Sequence, residues 1–500
     1  MNLFEIPVDV LLEIFRWVDG KTLHSCLLVS KSLHAFLKAH PEFEYAHRLE
    51  EQGLVDTSNG NYSYEKRIRR LKDFTSSWGA STVKRTPTQI YHIGGDCIAY
   101  ELVGGVFAKT DGTSLTVQWL PFSAGPTQQL IRSPDELLIP IKDFALDPTQ
   151  DLIVLIEADD LPRVLFKGRT VHLHLRTLST NLSHPAAQRP IINFNIPYHP
   201  FGNDLSVVTI QLATDLLSFF FTSGPGVPHL ILWDWKTGTV ILNSMKPNLQ
   251  LPSGIRSFEL LGSRSYALFS AEDSGTIHIY NIHYPHDPAI PPSCVAKLKF
   301  PELLPGIQLS SIQSHTGPFL ARPRRGKVFS TASDSRVYVI SMRFLNTVVT
   351  HATLFVEHSA FTPYIQKTDI QNEPPEVLWE VWTHQKIFFV PTQTATNWLR
   401  YVQGTRVLMA YPFGETSSIS IYDFNTNHGP PEDAPSDNFD IFCEPIRHIY
   451  PYKKWNFPLH TPYSSFMIEE DAVIGLRTYG TFEERIGSLE VFCMYDDPHN

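Results

Sequence analysis

From residue 105 to the C-terminus, one pattern returns seven times: an apolar run, a turn rich in Gly, Asp or Ser, and a second alternating run. It reads GVFAKTDGTSLTVQW from 105, DLIVLIEADD then TVHLHLRTL from 151, and LLSFFFTSG then HLILWDWKTG from 216. It returns as SYALFSAEDSGTIHIYNI from 265, KVFSTASDSRVYVISM from 327, RVLMAYPFGETSSISIYDF from 406, and AVIGLRTYG then SLEVFCMYD from 472. Each couplet has the period-two alternation and turn punctuation of paired strands. Aligning the second strands places Trp119, Leu175, Trp233, Tyr280, Ile340, Tyr422 and Phe492 in register, with gaps from 47 residues (Trp233 to Tyr280) to 82 (Ile340 to Tyr422).

A sheet of a few short strands cannot bury both faces alone. Stacking such sheets radially buries them and leaves only short edges. The expected architecture is therefore multi-domain, with residues 86–500 forming an all-β propeller of about seven four-stranded blades; a β-sandwich followed by an α+β domain is the competing arrangement. The 38 Pro and 27 Gly, scattered along the chain, and the 12% aromatic content suit many turns between short strands. LWDWKTG at 232–238 resembles the ending of a WD repeat, with Asp234 at the Asp position. The other six couplets lack a Trp-Asp pair, and their spacing exceeds the roughly 40–45 residues of a WD blade. The ring is thus a degenerate one with enlarged loops. Its last blade is one strand short, and TPTQIYHIG at 86–94 has no couplet of its own. That segment is expected to close the ring as an outer strand antiparallel to Leu489–Met494, hiding an open edge. The chain before residue 80 is expected to be dispensable for the ring.

The first 56 residues have a helical period instead. On a wheel, Val10, Leu11, Leu12, Ile14, Phe15, Trp17 and Val18 sweep an arc of roughly 220°, about twice the stripe a surface helix needs. Pro7 suits a first helical turn, and Asp19-Gly20 ends the helix. A second helix presents Leu23, Cys26 and Leu27; a third is capped by Ser30 and turns Leu33, Phe36 and Leu37 inward; a fourth opens at Pro41 and stops at Gly53. Three helices in about 35 residues are too small to be self-sufficient, and no Cys or His set staples them. This predicts completion by another chain.

The stretch IPVDVLLEIFRWVDGKTLHSCLLVSKSL resembles the F-box, and the whole chain is similar to fungal F-box proteins with a WD-like propeller. Ile6-Pro7, Asp9, Ile14, Phe15, Leu23, Val29, Ser30 and Lys31 fit the family pattern. Ile6 stands for the usual Leu, and Leu33 stands where a Trp is common. The resemblance implies docking on the Skp-type adaptor of an SCF ubiquitin ligase, and through it on cullin. It points to Ile6, Pro7, Val10, Leu11, Ile14, Phe15, Leu23, Val29 and Leu33 as the adaptor-binding residues. A helical cap packed on its own second domain is the alternative. Residues 57–85 are read as a helical linker; the basic helix YEKRIRRLKDFTSSW at 64–78 is expected to present a solvated face.

Little else carries chemistry. There is no nucleophile elbow, Walker loop, H-E-x-x-H or G-x-G-x-x-G. His172 and His174 share a strand face, but two imidazoles do not make a metal site, and neither metal nor cofactor is expected. Asp159-Asp160 and Glu469-Glu470-Asp471 are the acids a propeller hydrolase would draw on; in turns, such neighbours are usually solvated. ARPRRGK at 321–327 and GPPEDAPSD at 429–437 read as exposed loop insertions. The five cysteines are scattered without C-x-x-C spacing, and the net charge is -10. Reduced thiols, no signal peptide, no membrane span and no nucleic-acid partner are expected, in a cytoplasmic or nuclear protein. The expectation is a non-enzymatic substrate-recognition subunit whose propeller binds a protein substrate. A scaffold outside any ligase is the rival.

Overall fold

The computed structural model describes residues 5–18, 20–58, 62–78, 87–121, 127–157, 168–196, 206–223, 226–283, 290–324, 326–346, 348–366, 373–383, 387–392, 400–413, 416–425, 441–444, 446, 452–459, 463–479 and 485–495. Asp159-Asp160 and the 429–437 loop lie outside these.

The couplets form seven sheets arranged as propeller blades. Blade I runs outward from Ala99–Val103 through Val106–Thr110 and Leu115–Trp119 to Gln129–Arg132. Blades II, III, IV and VI span 141–196, 206–243, 255–299 and 402–459 in the same simple meander. Blade V takes Gln308–His315, Val337–Leu345, Val349–Glu357 and Ile387–Thr392, and blade VII starts at Ser465–Ile468, Ala472–Tyr479 and Arg485–Cys493. Its fourth strand is Gln89–His92, which pairs antiparallel with Gln89 opposite Val491 and His92 opposite Ser488. The ring is closed by the segment that has no couplet of its own.

Every junction between adjacent blades holds its own apolar cluster. Leu155 and Val117 meet between blades I and II, Val154, Phe219 and Trp233 between II and III, and Ile474 and Phe107 between VII and I. This is the radial burial that makes a ring of small sheets stable. Six of the register residues, Trp119, Leu175, Trp233, Tyr280, Tyr422 and Phe492, lie on the third strand of their blade.

Ile340 is the exception: it lies on the second strand of blade V. The first half of that couplet, Phe329–Thr331, has left the blade and pairs antiparallel with Leu54–Asp56 from the N-terminal region. Blade IV also gains a strand beyond its meander, as Glu376–Val377 lies parallel to its edge opposite Lys297 and Leu298.

Among the described residues five helices precede the ring: α1 (Val8–Arg16), α2 (Gly20–Val29), α3 (Lys31–Ala39), α4 (Pro41–Glu51) and α5 (Tyr64–Ser77). Ser30 caps α3, its Oγ accepting from Leu33 N at 3.1 Å. Phe15, Leu23, Leu33, Leu37 and Phe43 form one small core. Phe43 comes from α4, and the α4 carboxylate of Glu50 accepts from Gly20 N at 2.6 Å, at the start of α2. The chain's own fourth helix therefore supplies part of the completion that was expected from another molecule.

Helix α5 does not hang free between the two parts. Ile68, Leu71, Phe74 and Trp78 join Tyr45 and Leu49 of α4 and Phe329, Leu408, Ile419, Phe457 and Phe492 of the ring in a single cluster. The expected solvated basic face is only half right. Arg69 and Lys72 are exposed, but Arg67 and Arg70 are buried. Arg67 pairs with Asp56 at 2.8 Å, and Arg70 stacks on the Tyr62 ring at 4.2 Å. Asp56 belongs to the strand that pairs with Phe329–Thr331, so the same residues that seat the helix also anchor the sheet joining the two parts.

Candidate functional site

Helix α1 carries two apolar stripes one residue out of phase. Leu11 and Phe15, four apart, face inward and are 1% and 6% exposed. Val10, Ile14 and Trp17, at i, i+4 and i+7, face outward and are 48%, 45% and 85% exposed. Val8 and Pro7 are exposed beside them, Ile6 is half-buried, and Leu28 and Val29 stand out at the end of α2. Glu13 holds Arg16 at 2.9 Å and accepts from Trp17 Nε1 at 3.3 Å, so the polar residues of the helix pair with one another.

The structure thus divides the nine expected adaptor-binding residues. Pro7, Val10, Ile14 and Val29 are presented outward, with Ile6 half-buried. Leu11, Phe15, Leu23 and Leu33 are buried, the last three in the helices' own core. Their part is to hold the outward stripe in shape. Val8, Trp17 and Leu28, which the sequence reading did not include in that set, belong to the exposed surface; Trp17 was already in phase with Val10 and Ile14. An exposed apolar set of this kind, kept together on one small module, is the usual mark of a protein-interaction surface.

The ring face where the inner strands end is crossed by a strap, residues 316–324. It leaves blade V at Thr316, whose hydroxyl donates to Val337 O at 2.8 Å. Gly317 lies so close to blade VI that an added Cβ would sit 2.9 Å from Val402 O. Phe319 then lies under Arg336, 3.5 Å from guanidinium carbon to ring centre. Ala321 N and Arg322 N donate to Asp147 Oδ2 and Thr149 Oγ1 of blade II at 3.1 and 3.2 Å.

Arg324 ends the crossing at blade VII, among Glu469, Glu470 and Asp471. It pairs with Glu470, with Asp471 at 3.3 Å and with Glu469 at 3.6 Å. Lys327 adds a 2.8 Å pair to Asp471, and Gly105 N donates to Glu469 Oε1 at 3.3 Å. Burial by itself would lower the Arg324 pKa, but the three carboxylates outweigh it and hold the guanidinium charged. Burial would likewise raise the Asp471 pKa, and Lys327 and Arg324 reverse that. The expectation of solvated acids fails here, whereas the 321–327 loop is exposed as expected at Arg322, Pro323 and Gly326 and departs from that at Arg324. All three acids and Arg324 are buried because each loop is the other's counter-ion. The acids are consumed by this network and are not free to serve a hydrolase.

His174 Nε2 lies 2.9 Å from Glu157 Oε2, so the first partner the structure gives this imidazole is a carboxylate. Among the described residues no group of three or more His, Cys, Asp or Glu could hold a metal ion, and no described helix is long and apolar enough to cross a membrane.

Comparison with known families matches residues 3–45 to the F-box domain. No curated protein matches the chain. Among solved structures, the WD40 domain of SCAP from fission yeast aligns at 9% identity over 81% of this chain and 98% of that one, with a TM-score of 0.36. Sqt1 from Saccharomyces cerevisiae aligns at 9% identity over 82% of this chain and 99% of that one, with a TM-score of 0.33. The exposed stripe of α1 therefore belongs to an F-box domain at residues 3–45, and that domain stands in front of a seven-bladed β-propeller.

Proposed function

We propose that this chain is the substrate-recognition subunit of an SCF-type ubiquitin ligase. F-box domains in general bind Skp-type adaptors, and propellers bind proteins. The observation that carries the reading is the outward stripe of Val10, Ile14 and Trp17, flanked by Pro7 and Val29 and left uncovered by the chain's own helices. The docking module is residues 1–56, joined through 57–85 to a substrate platform at 86–500. The adaptor takes the outward stripe and brings cullin with it, and the propeller holds a protein substrate. Catalysis is left to the ubiquitin-loaded enzyme; this chain contributes by tethering, which raises the effective concentration of substrate beside that enzyme. The work takes place in the cytoplasm or nucleus and requires neither nucleic acid nor membrane.

The packing of α5 on the ring supports a rigid link, since a stiff connection holds the substrate at a set distance from the adaptor. Copurification of the full chain with a Skp-type adaptor tests the reading. Adaptor should be retained by the parent chain and lost from a Pro7→Ala, Ile14→Ala variant that melts like the parent. A chain that never retains adaptor would be the scaffold of the rival reading.

A further inference from the structure

The channel along the ring axis holds polar side chains that adaptor docking does not use. A cavity of about 250 Å³ there is lined by Glu101, Asp143, Gln211, Glu259, His315 and Arg400, with Pro318 and Phe319 of the strap at one end. Arg400 is already committed, forking onto Glu101 with Nε–Oε1 at 2.5 Å and Nη2–Oε2 at 2.7 Å. Gln211 is fixed as well: its Oε1 accepts from Leu260 N at 2.9 Å, which turns its Nε2 onto Glu259 Oε1 at 2.5 Å. The other carboxyl oxygen, Glu259 Oε2, has no hydrogen-bond partner, although the residue is only 2% exposed. A buried carboxyl oxygen left without a partner in this way is costly in either protonation state, and native proteins rarely tolerate one without a ligand, a water or a function.

The lining also sets the sign of what would fit. Three carboxyl groups, Glu101, Asp143 and Glu259, face a single guanidinium, Arg400. Among the described residues no group of three or more His, Cys, Asp or Glu is placed to hold a metal ion. The volume lies just below the roughly 300 Å³ at which pockets for small molecules begin. We propose that the axial channel binds a small organic cation, a guanidinium or ammonium group on a short stem, whose N–H bonds satisfy Glu259 Oε2.

Protonation supports this. Burial pushes the Glu259 carboxyl up to about 8, against the opposing pull of Gln211, Arg400 and Arg336; the Tyr338 hydroxyl also lies in its field. Burial raises the Asp143 carboxyl to about 6. Burial thus favours the protonated form of Glu259, and a cation that pairs with its carboxylate is expected to displace that proton.

The test is calorimetric titration of the full chain with butylguanidine, with its neutral isostere butylurea, and with the peptide Gly-Arg-Gly. A free cation should bind through butylguanidine, whereas binding of Gly-Arg-Gly alone would place the guanidinium on a partner protein's side chain. Butylurea should bind at least tenfold more weakly than whichever cation binds, and Glu259→Gln should lose at least tenfold while keeping the parent's melting temperature. In the unmodified chain, affinity should rise by up to about tenfold per pH unit between 6 and 8, with proton release visible in buffers of different ionisation enthalpy. The last measurement stands even if Glu259→Gln fails to fold. The proposal is overturned if neither cation binds, if butylurea binds equally well, or if binding releases no proton.

Discussion

Two regions of this molecule break the ordinary rule of burial in opposite ways. On α1 and α2, apolar side chains stand in water: Trp17 is 85% exposed and Leu28 77%. On the propeller face, charges stand inside: Arg324, Glu469, Glu470 and Asp471 are each less than 5% exposed. Exposed apolar area and buried charge both cost free energy unless something compensates them. At the strap, the compensation is internal, since the carboxylates of blade VII meet the guanidinium of a loop from blade V. At the F-box the described helices have already used the inward stripe and leave the outward one uncovered, so under the proposed function its compensation is another chain. Only the tertiary structure tells that the inverted burial at the strap is compensated within the same chain while the stripe on α1 is not.

The contrast can be broken most sharply at Arg324. Arg324→Ala leaves three buried carboxyl groups without their shared cation and should cost about 3–5 kcal/mol, read as a large fall in melting temperature. Replacing Arg324, Glu470 and Asp471 together by apolar residues of similar volume should cost far less. An equal loss in both variants would mean that the strap is held by something other than its charges. Phe74→Ala should follow closely, at about 3–4 kcal/mol, because Phe74 is 2% exposed and packs edge-on against Phe329 and Tyr495.

The same cluster revises the expectation that residues before 80 are dispensable. Removing 1–40 should leave the melting temperature of the ring unchanged. Removing 1–80 strips Phe74 and Trp78 from the ring and should lower it. Removing 1–95 takes the closing strand as well and should give insoluble or low-melting protein. Equal melting of the last two truncated chains would show that Gln89–His92 does not matter for closure.

At the F-box, stability and binding should separate. Pro7→Ala with Ile14→Ala should weaken adaptor binding several tens-fold, about 2 kcal/mol, and leave melting unchanged; Leu11→Ala should lower the melting temperature instead. Isothermal titration and thermal melts on the same samples decide this. The smallest effect concerns pH. The Asp143 carboxyl is raised to about 6 by burial, so the folded chain holds its proton more tightly than the unfolded one. Its contribution is fully present below the ordinary carboxylate range and is lost as pH rises to about 6. Asp143→Asn should therefore stabilise the ring at pH 7 by about 1 kcal/mol, a fraction of the full linkage value because the group is partly open to the channel, and should flatten the melting temperature between pH 4 and 6.

Much of the architecture is legible in the chain because it is written in local periods. The strand couplets, the helical arc of Val10–Val18, the Ser30 cap and the unclaimed strand near Gln89 all depend on residues close in sequence. They state what each segment must bury. The sequence by itself thus determined an F-box-like module, a ring of small sheets and the means of closing it.

What it could not determine is which distant segment does the burying. Arg324 and Glu470 are 146 residues apart and hydrogen-bonded. Leu54 and Thr331 share a strand pair, Phe43 completes the α1–α3 core, and Glu259 is left with an open oxygen in the channel. In sequence the charged loops look solvated, because a short turn beside its own neighbours has no counter-charge to reveal. The division of α1 into an inward and an outward stripe was also undecided, since both stripes have the same composition. Only packing in three dimensions settles such cases, because burial and charge pairing depend on what lies within a few ångströms, and a single chain brings that there from anywhere along its length.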